Sequence, residues 1–159
     1  MADDLIDQVL RVDALVVDRL LADWCWLCPE PVSLVARNTF GDLFLVSAEG
    51  RVLWLQVATG ELAEVAASQS QFLDLLNQNK GREAWLAETD AKAAAERGLL
   101  PSAAQCVGFK VPLVFSQSGE VADNAYVADL YEQVSFLGDL HRQISGFPDG
   151  ASIQLRVKR

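Results

Sequence analysis

The sequence predicts an α+β fold in which an antiparallel sheet meander packs against N-terminal, middle and C-terminal helices. Within residues 39–61, short runs of alternating apolar side chains are separated by Gly-bearing turns at 48–50 and 59–61. That pattern is typical of period-two strands joined by tight loops. Residues 3–22 and 127–145 instead repeat apolar side chains at spacings of three and four, which is typical of amphipathic helices.

The N-terminal half of the chain is expected to pass from a helix into the sheet. The predicted helix at 3–22 carries aspartates in its first turn, where they favour the positive end of the helix dipole. Pro29 and Pro31 stop its continuation, so a connector should follow. Strands are then predicted at 33–37, 42–47, 52–57 and 62–65.

The C-terminal half is expected to alternate helices with further strands. Ser68 is predicted to cap a helix with an apolar stripe at 72–76, and shorter helices should follow at 83–86 and 87–97. The last elements are predicted as strands at 106–109, 111–115 and 152–157, a polar loop at 116–124 and a helix at 127–145. Pro112 favours an edge position for the strand at 111–115, because proline cannot donate to a ladder.

Composition predicts one domain, residues 1–159, with a helix and connector at 1–30 and the sheet and helices at 31–159. Hydrophobic residues make up 51% of the chain, which is enough to form a core and excludes global disorder. No apolar run approaches the roughly 20 residues that span a bilayer, so no membrane association is expected. The N-terminus is acidic where a secretory signal is basic, which predicts a cytoplasmic protein.

Charge predicts the kind of partner. The formal net charge is -9, and residues 1–30 hold seven carboxylates against two arginines. Such acidity disfavours nucleic acid, because the phosphates would be repelled, and favours a basic protein. Solubility alone is a slightly better explanation for an acidic chain, so charge by itself does not identify a partner.

The cysteines, the histidine, the carboxylates and the glycines form no pattern typical of a cofactor site, a metal site or a catalytic site. We therefore predict no cofactor, no metal and no catalytic residue. Cys25 and Cys28 have Cys-x-x-Cys spacing, but two prolines follow them, and only Cys106 and His141 remain as further thiol or imidazole donors. A core-filling role near a helix end is therefore favoured for this pair. Carboxylates such as Glu61 and Glu64 have the spacing of solvated faces, and the glycines form no phosphate-binding pattern.

Several segments, in their order along residues 38–141, resemble a family of bacterial immunity proteins of the type VI secretion system. The segments are Phe40-Gly41-Asp42-Leu43-Phe44, Val52-Leu53-Trp54-Leu55, Thr59-Gly60-Glu61, residues 107–113 and the helix that starts near Val127. The resemblance implies a SUKH-like α+β domain that inhibits a cognate toxin, expected to be a DNase, in competition between bacteria. It implies no catalytic residues. The Ser116-Gln117-Ser118-Gly119 loop departs from the Gly-Gly-like turn of that family.

The predicted partner-binding residues are seven exposed-type side chains on two irregular, polar segments, 79–90 and 116–132. They are Glu83, Trp85, Glu88, Glu120, Asp123, Asp129 and Glu132. Binding residues concentrate on loops that a rigid scaffold holds, and an aromatic anchor ringed by carboxylates suits a basic toxin. Trp85 is predicted as that anchor, whereas Trp54 in mid-strand is predicted to be core.

Two other classes of function stay open at this point. One is a small-ligand-binding or regulatory α+β module with a pocket between sheet and helices, and the other is an enzyme whose residues the sequence does not flag. A toxin gene beside this one would favour the immunity hypothesis over both.

Overall fold

The computed structural model describes residues 9–28 and 30–154 and confirms the α+β fold. Four strands form one antiparallel sheet in the order β1 to β4, and two more form a separate ribbon. The strands are β1 Ser33–Arg37, β2 Leu43–Val46, β3 Val52–Gln56, β4 Glu61–Ala66, β5 Gln105–Phe109 and β6 Ala125–Asp129. The helices are α1 Val17–Leu20, α2 Gln69–Leu76, α3 Asn79–Gly81, a π-helix Arg82–Leu86, α4 Glu88–Glu96, a 3-10 turn Ser116–Ser118, α5 Val121–Asn124 and α6 Leu130–Ile144.

Hydrophobic clusters lie on both faces of the four-stranded sheet. Leu43, Leu45 and Leu55 belong to one hydrophobic cluster, which α6 completes, while Phe44 and Val52 belong to a second cluster with α2 and the π-helix. Adjacent residues of a strand point to opposite faces. This two-sided burial explains why β2 is apolar at all of its positions.

The meander and the middle helices agree with the sequence prediction. The four predicted strands at 33–37, 42–47, 52–57 and 62–65 are confirmed, with ends that differ by no more than one residue. Ser68 accepts a hydrogen bond from the Gln71 N–H at 3.1 Å, which confirms it as the cap of α2. Phe72 and Leu76 of that helix lie in the core.

The predicted continuous helix at 3–22 is wrong within the described residues. Val9 and Leu10 are helical, the chain is then irregular to Val16, and α1 is a single turn. Val9 packs in the cluster with Phe44, whereas Leu20 packs in the cluster on the other face of the sheet. One straight helix cannot reach both faces, so the chain must bend between them. The part of the prediction at 3–8 lies outside the described residues.

The predicted strand at 111–115 is also wrong. Val111 donates its N–H to the Asn124 side chain at 2.8 Å, and its carbonyl accepts from the same carboxamide at 2.7 Å. Phe115 then bonds back to the Pro112 carbonyl in a turn. The Asn124 side chain thus bonds the two backbone groups of Val111 that a neighbouring strand would otherwise have bonded. In the predicted final strand at 152–157, residues 152–154 are irregular and the remainder lies outside the described residues.

The late helix is shorter than predicted because its first residues form a strand. Ala125–Asp129 pairs antiparallel with β5, from Gln105 opposite Asp129 to Phe109 opposite Ala125. Asp129 then accepts a hydrogen bond from the Glu132 N–H at 3.0 Å and so caps α6. The predicted loop at 116–124 contains the 3-10 turn and α5. No helix within residues 9–28 and 30–154 is long and apolar enough to cross a membrane.

Candidate protein-binding site

Trp85, the predicted exposed anchor, lies in the core. Only 9% of its surface is exposed. Its ring stacks on Phe72 with centroids 5.1 Å apart and lies at an angle to Phe44 at 6.2 Å. The π-helix turns this side chain toward the sheet, where it completes the second hydrophobic cluster. The predicted partial exposure of Trp85 is therefore wrong.

The two carboxylates on either side of Trp85 make local contacts. Glu83 Oε2 accepts hydrogen bonds from the Thr89 N–H at 3.2 Å and from the Thr89 hydroxyl at 2.9 Å, which ties the π-helix to α4. Glu88 lies 3.4 Å from the Lys92 ammonium one turn along α4. Both carboxylates thus have intramolecular partners and are weaker candidates for contact with another protein.

The other four predicted residues are exposed around β6. Glu120 and Asp123 lie at α5, just before the strand, and Asp129 and Glu132 lie where the strand passes into α6. The strand rises about 3.3 Å per residue, so its two ends are roughly 13 Å apart. Among the described residues, the carboxylates of Glu120, Asp123 and Glu132 have no ion-pair partner.

Tyr126 supplies the exposed aromatic ring that the sequence analysis placed at Trp85. It lies in β6 between the two carboxylate pairs, and 37% of its surface is exposed. Tyrosine offers a large apolar area with a hydroxyl at its tip, which is why this residue type is frequent at protein interfaces. An exposed aromatic ring with flanking carboxylates is therefore present, and it is centred on β6.

A groove of about 480 Å³ runs along β6 beside Tyr126, and we call it the acidic groove. It is lined by residues 126–129 of β6, by Phe109 and Lys110 at the end of β5, and by Glu132, Gln133 and Phe136 of α6. Two carboxylates and one ammonium group therefore border it. That balance, together with the net charge of -9, favours a cationic occupant.

Gln133 is the unusual member of the acidic groove. Only 8% of its surface is exposed, yet its carboxamide has no hydrogen-bond partner among the described residues. A Cβ atom on Gly108 would lie 2.9 Å from its Cδ atom, so glycine is the residue that lets α6 approach the ribbon this closely. The oxygen and nitrogen of this carboxamide are not fully buried, so water in the groove can reach them.

A second polar cluster lies inside the protein, around Asp42. Its Oδ1 accepts from the Val57 N–H at 3.0 Å, and its Oδ2 accepts from Trp54 Nε1 at 3.1 Å and Asn38 Nδ2 at 3.2 Å. Burial raises the pKa of this carboxyl, and the three hydrogen bonds oppose the shift. The carboxyl ties the loop before β2 to the end of β3, and Trp54 is held there half-buried.

His141 is likewise an internal residue, with 4% of its surface exposed. Its Nε2 lies 3.0 Å from the Val57 carbonyl, which can only accept, so Nε2 carries the proton. Burial lowers the pKa of the imidazole, and backbone hydrogen bonds at Val57 and Ala58 oppose that shift. The ring packs against Trp24 with centroids 5.9 Å apart. It connects α6 to the turn between β3 and β4.

The three thiols differ in exposure. All three are free: Cys25 is exposed, whereas Cys28 and Cys106 are buried. Burial raises the pKa of Cys28, and raises that of Cys106 to about 12, which is the opposite of the shift found at reactive thiols. Within the described part of the chain, no group of three His, Cys, Asp or Glu residues could hold a metal ion. Buried Trp24 and Cys28 fit the core-filling role favoured for this segment, while Cys25 and Trp26 do not.

Comparison with known protein families, and with curated protein sequences, finds no match for this chain.

Sequence reasoning missed both Tyr126 and Gln133. Tyr126 lies between the polar loop predicted at 116–124 and the helix predicted from residue 127 onward, so the strand at Ala125–Asp129 went unnoticed. Ala-Tyr-Val-Ala before the capping residue Asp129 was the available signal, since aromatic and β-branched residues favour strands. Nothing in the local sequence indicated that Gln133 would lack a partner.

Proposed function

We propose that this protein is an immunity protein that binds and neutralises a cognate effector toxin of a type VI secretion system, expected to be a DNase, in the cytoplasm. Two observations, the resemblance and the fold class, support this proposal. The order of segments over residues 38–141 resembles such immunity proteins, and the fold is of the α+β class that the resemblance implies. The acidic groove adds a surface suited to a basic protein.

The observation that carries the proposal is the position of exposed Tyr126 between two pairs of carboxylates. A central aromatic contributes buried area to an interface, while carboxylates around it accelerate encounter with a cationic partner. The β5–β6 ribbon and α6 hold these groups on regular elements. A DNase must present a cationic surface to DNA phosphates. An acidic protein bound there would exclude the nucleic acid from it.

The side chains that could act as a catalytic base, acid or nucleophile lie at positions that favour a binding function over catalysis. His141 and Cys106, the residues most able to act as base or nucleophile, are buried and engaged in the core. Glu64, one of the carboxylates considered for acid and base work, pairs with Arg51 at 3.0 Å on an exposed strand. His141 and Cys106 thus lie at positions that a substrate would not reach.

A small-ligand or regulatory module is the second candidate, because the acidic groove does lie between a ribbon and a helix. Its volume of about 480 Å³ falls within the usual range for ligand sites. Such sites, however, are mostly apolar and enclose their ligand. The exposed carboxylates at this groove fit a protein segment better than a small molecule.

Co-expression with the candidate toxin encoded by the neighbouring gene tests the proposal. Wild-type protein should restore growth and should bind a catalytically inactive toxin with one-to-one stoichiometry. The variant D123N/D129N/E132Q should associate about tenfold more slowly at low salt, with a weaker dependence on ionic strength, because it lacks three steering charges. Asparagine at 129 keeps the cap of α6, so the helix should remain intact.

The charge-matched control is D3N/D4N/D7N, which removes three carboxylates from the acidic N-terminus. If this control slows association and the variant around β6 does not, the interface lies at the N-terminus. If the wild-type protein neither binds the toxin nor protects the cell, the proposed function is wrong.

A further inference from the structure

We propose that the toxin docks on the outer edge of β6, where an extended cationic segment adds to the β5–β6 ribbon as a third strand. The inference deepens the proposed function and rests on it. It assigns the acidic groove a backbone-pairing role in addition to a charged surface, and it names the class of occupant: a strand with lysine or arginine at alternate positions.

The first step is the hydrogen-bond pattern of the ribbon. The Lys110 N–H donates to the Asn124 carbonyl at 2.9 Å, and the Leu130 N–H donates to the Ala104 carbonyl at 2.9 Å. These two residue pairs continue the β5–β6 register by one residue at each end of the ribbon. In an antiparallel ladder, bonded and non-bonded pairs alternate. The bonded pairs within the ribbon are therefore Cys106 with Ala128 and Gly108 with Tyr126.

The same alternation fixes what the outer edge presents. The backbone groups of Ala125, Val127 and Asp129 must point away from β5. The ribbon has two strands, so within the described part of the chain no strand lies on that side of β6. On the opposite edge of the ribbon, the Val107 N–H donates to the Thr39 carbonyl at 2.8 Å. The β5 edge is thus covered by the protein's own loop, while the N–H and C=O of Val127 form an open edge.

The second step is the groove beside that edge. Four consecutive residues of β6, 126–129, line it together with α6, so a chain paired with the edge would lie along it. Gln133 also lines this groove, with a carboxamide that water can reach. An incoming segment would supply hydrogen bonds to the Val127 backbone groups, which no strand among the described residues pairs with.

The third step is the choice of occupant. Alternate side chains of an added strand point to the same face. On the groove side they would meet Asp129 and Glu132, which suits lysine or arginine better than an acidic or apolar residue. A second copy of this chain is disfavoured, because pairing two β6 edges would bring these carboxylates and two chains of net charge -9 together.

The test uses a proline on the open edge. Val127→Pro removes only the outward N–H, which the ladder with β5 does not use, and an edge strand tolerates proline at such a position. Val127→Ala is the matched control, since it shortens the side chain and keeps the N–H. Both full-length variants are titrated with the catalytically inactive toxin, and V127P should bind at least tenfold more weakly than V127A.

Amide hydrogen exchange of the wild-type protein gives a readout that needs no variant. The Val127 amide should exchange rapidly in the free protein, and bound inactive toxin should slow it at least a hundredfold. The Tyr126 and Ala128 amides, bonded to β5, should be protected in both states.

Three results would overturn the inference. If V127P binds as tightly as V127A, or if the Val127 amide gains no protection in a complex that forms, the toxin docks elsewhere and the proposed function stands. If the wild type is a dimer that V127P dissociates, a second copy occupies the edge. If the wild type does not bind the toxin at all, the proposed function fails together with this inference.

Discussion

The imidazole of His141 lies directly over Gly60, so closely that a Cβ atom on the glycine would be 2.8 Å from the ring. Gly60 turns the chain from β3 into β4 with a φ of 76°, and the same histidine hydrogen-bonds the Val57 carbonyl. One side chain of α6 thus packs on the β3–β4 turn. The Thr59-Gly60-Glu61 segment noted in the sequence is thereby a packing contact of the C-terminal helix.

The first prediction concerns that contact. Gly60→Ala should lower the free energy of unfolding by about 2 kcal/mol or more, because it combines a positive φ with a close approach. Gly98→Ala is the control for backbone strain alone, since Gly98 has a φ of 84° and its Cβ would meet nothing within 4 Å. In an H141A background the effect of G60A should shrink toward that of G98A. An undiminished effect there would show that His141 is not the obstacle.

The second prediction is a pH dependence of stability. Burial lowers the pKa of folded His141 below its unfolded value of about 6.5, so at a pH between the two values the unfolded chain binds a proton that the folded chain does not. The stability is therefore fully present above about pH 6.5 and is lost as the pH falls through that window. Urea unfolding between pH 7.5 and 5 measures it. H141Q, which keeps a donor for Val57 but does not titrate, should flatten the profile; an unchanged slope would assign the proton to another group.

The third prediction is that Asp42→Asn destabilises the protein although it preserves shape. All three partners of this carboxyl are donors, so an amide NH2 must face a donor and leave it unpaired. The expected loss is about 1–3 kcal/mol in urea unfolding. D149N, at an exposed aspartate near the C-terminal turn, is the matched control and should be nearly neutral. Equal stability of D42N and D149N would contradict the hydrogen-bond pattern described for Asp42.

The fourth prediction distinguishes a core role for Trp85 from an interface role. Trp85→Ala should lower the free energy of unfolding by about 3–5 kcal/mol, since it removes a ring packed between Phe72 and Phe44. Trp26→Ala should have a smaller effect, because 37% of Trp26 is exposed. A W85A protein of normal stability that no longer binds the toxin would restore the earlier assignment of Trp85 as an anchor.

The fifth prediction is that the Cys25–Cys28 pair is dispensable for toxin binding. C25S/C28S should keep its affinity, while its melting temperature should fall because a buried thiol is replaced by a hydroxyl. In the native wild type, iodoacetamide should label exposed Cys25 and spare buried Cys28 and Cys106 until the protein is unfolded. Loss of toxin binding by a variant that still folds would instead assign the pair a function.

Local sequence predicted those parts of the fold that depend on short-range rules. The β1–β4 meander follows from alternating side chains and glycine turns, and α2 follows from a capping serine with an apolar stripe. Each of these signals lies within a few residues of the element that it specifies. Besides the irregular residues 152–154, the errors were at 3–22, 111–115 and 127–129, where contacts with residues outside the segment decide the conformation.

The sequence predicted the exposure of the site's carboxylates near β6 but not that of its aromatic residue. Carboxylates at 120, 123, 129 and 132 are exposed near β6, as a partner-binding role requires. Exposure of an aromatic residue cannot be predicted from its neighbours in sequence, because it depends on which face of the sheet a helix covers. Consequently Trp85, predicted to be exposed, is buried, and the exposed ring near the carboxylates is that of Tyr126.

The sequence by itself determined the α+β class, the meander and the acidic character of this protein, since periodicity, turn residues and charge are properties of the chain. Tertiary structure decided which groups are available to a partner. Pairing of Ala125–Asp129 with β5 made β6 a strand with an open edge, and the packing of α6 against Gly108 placed Gln133 in the acidic groove. The physical reason is that pairing and burial are set by contacts between residues far apart in sequence, such as Cys106 with Ala128, which no local pattern encodes.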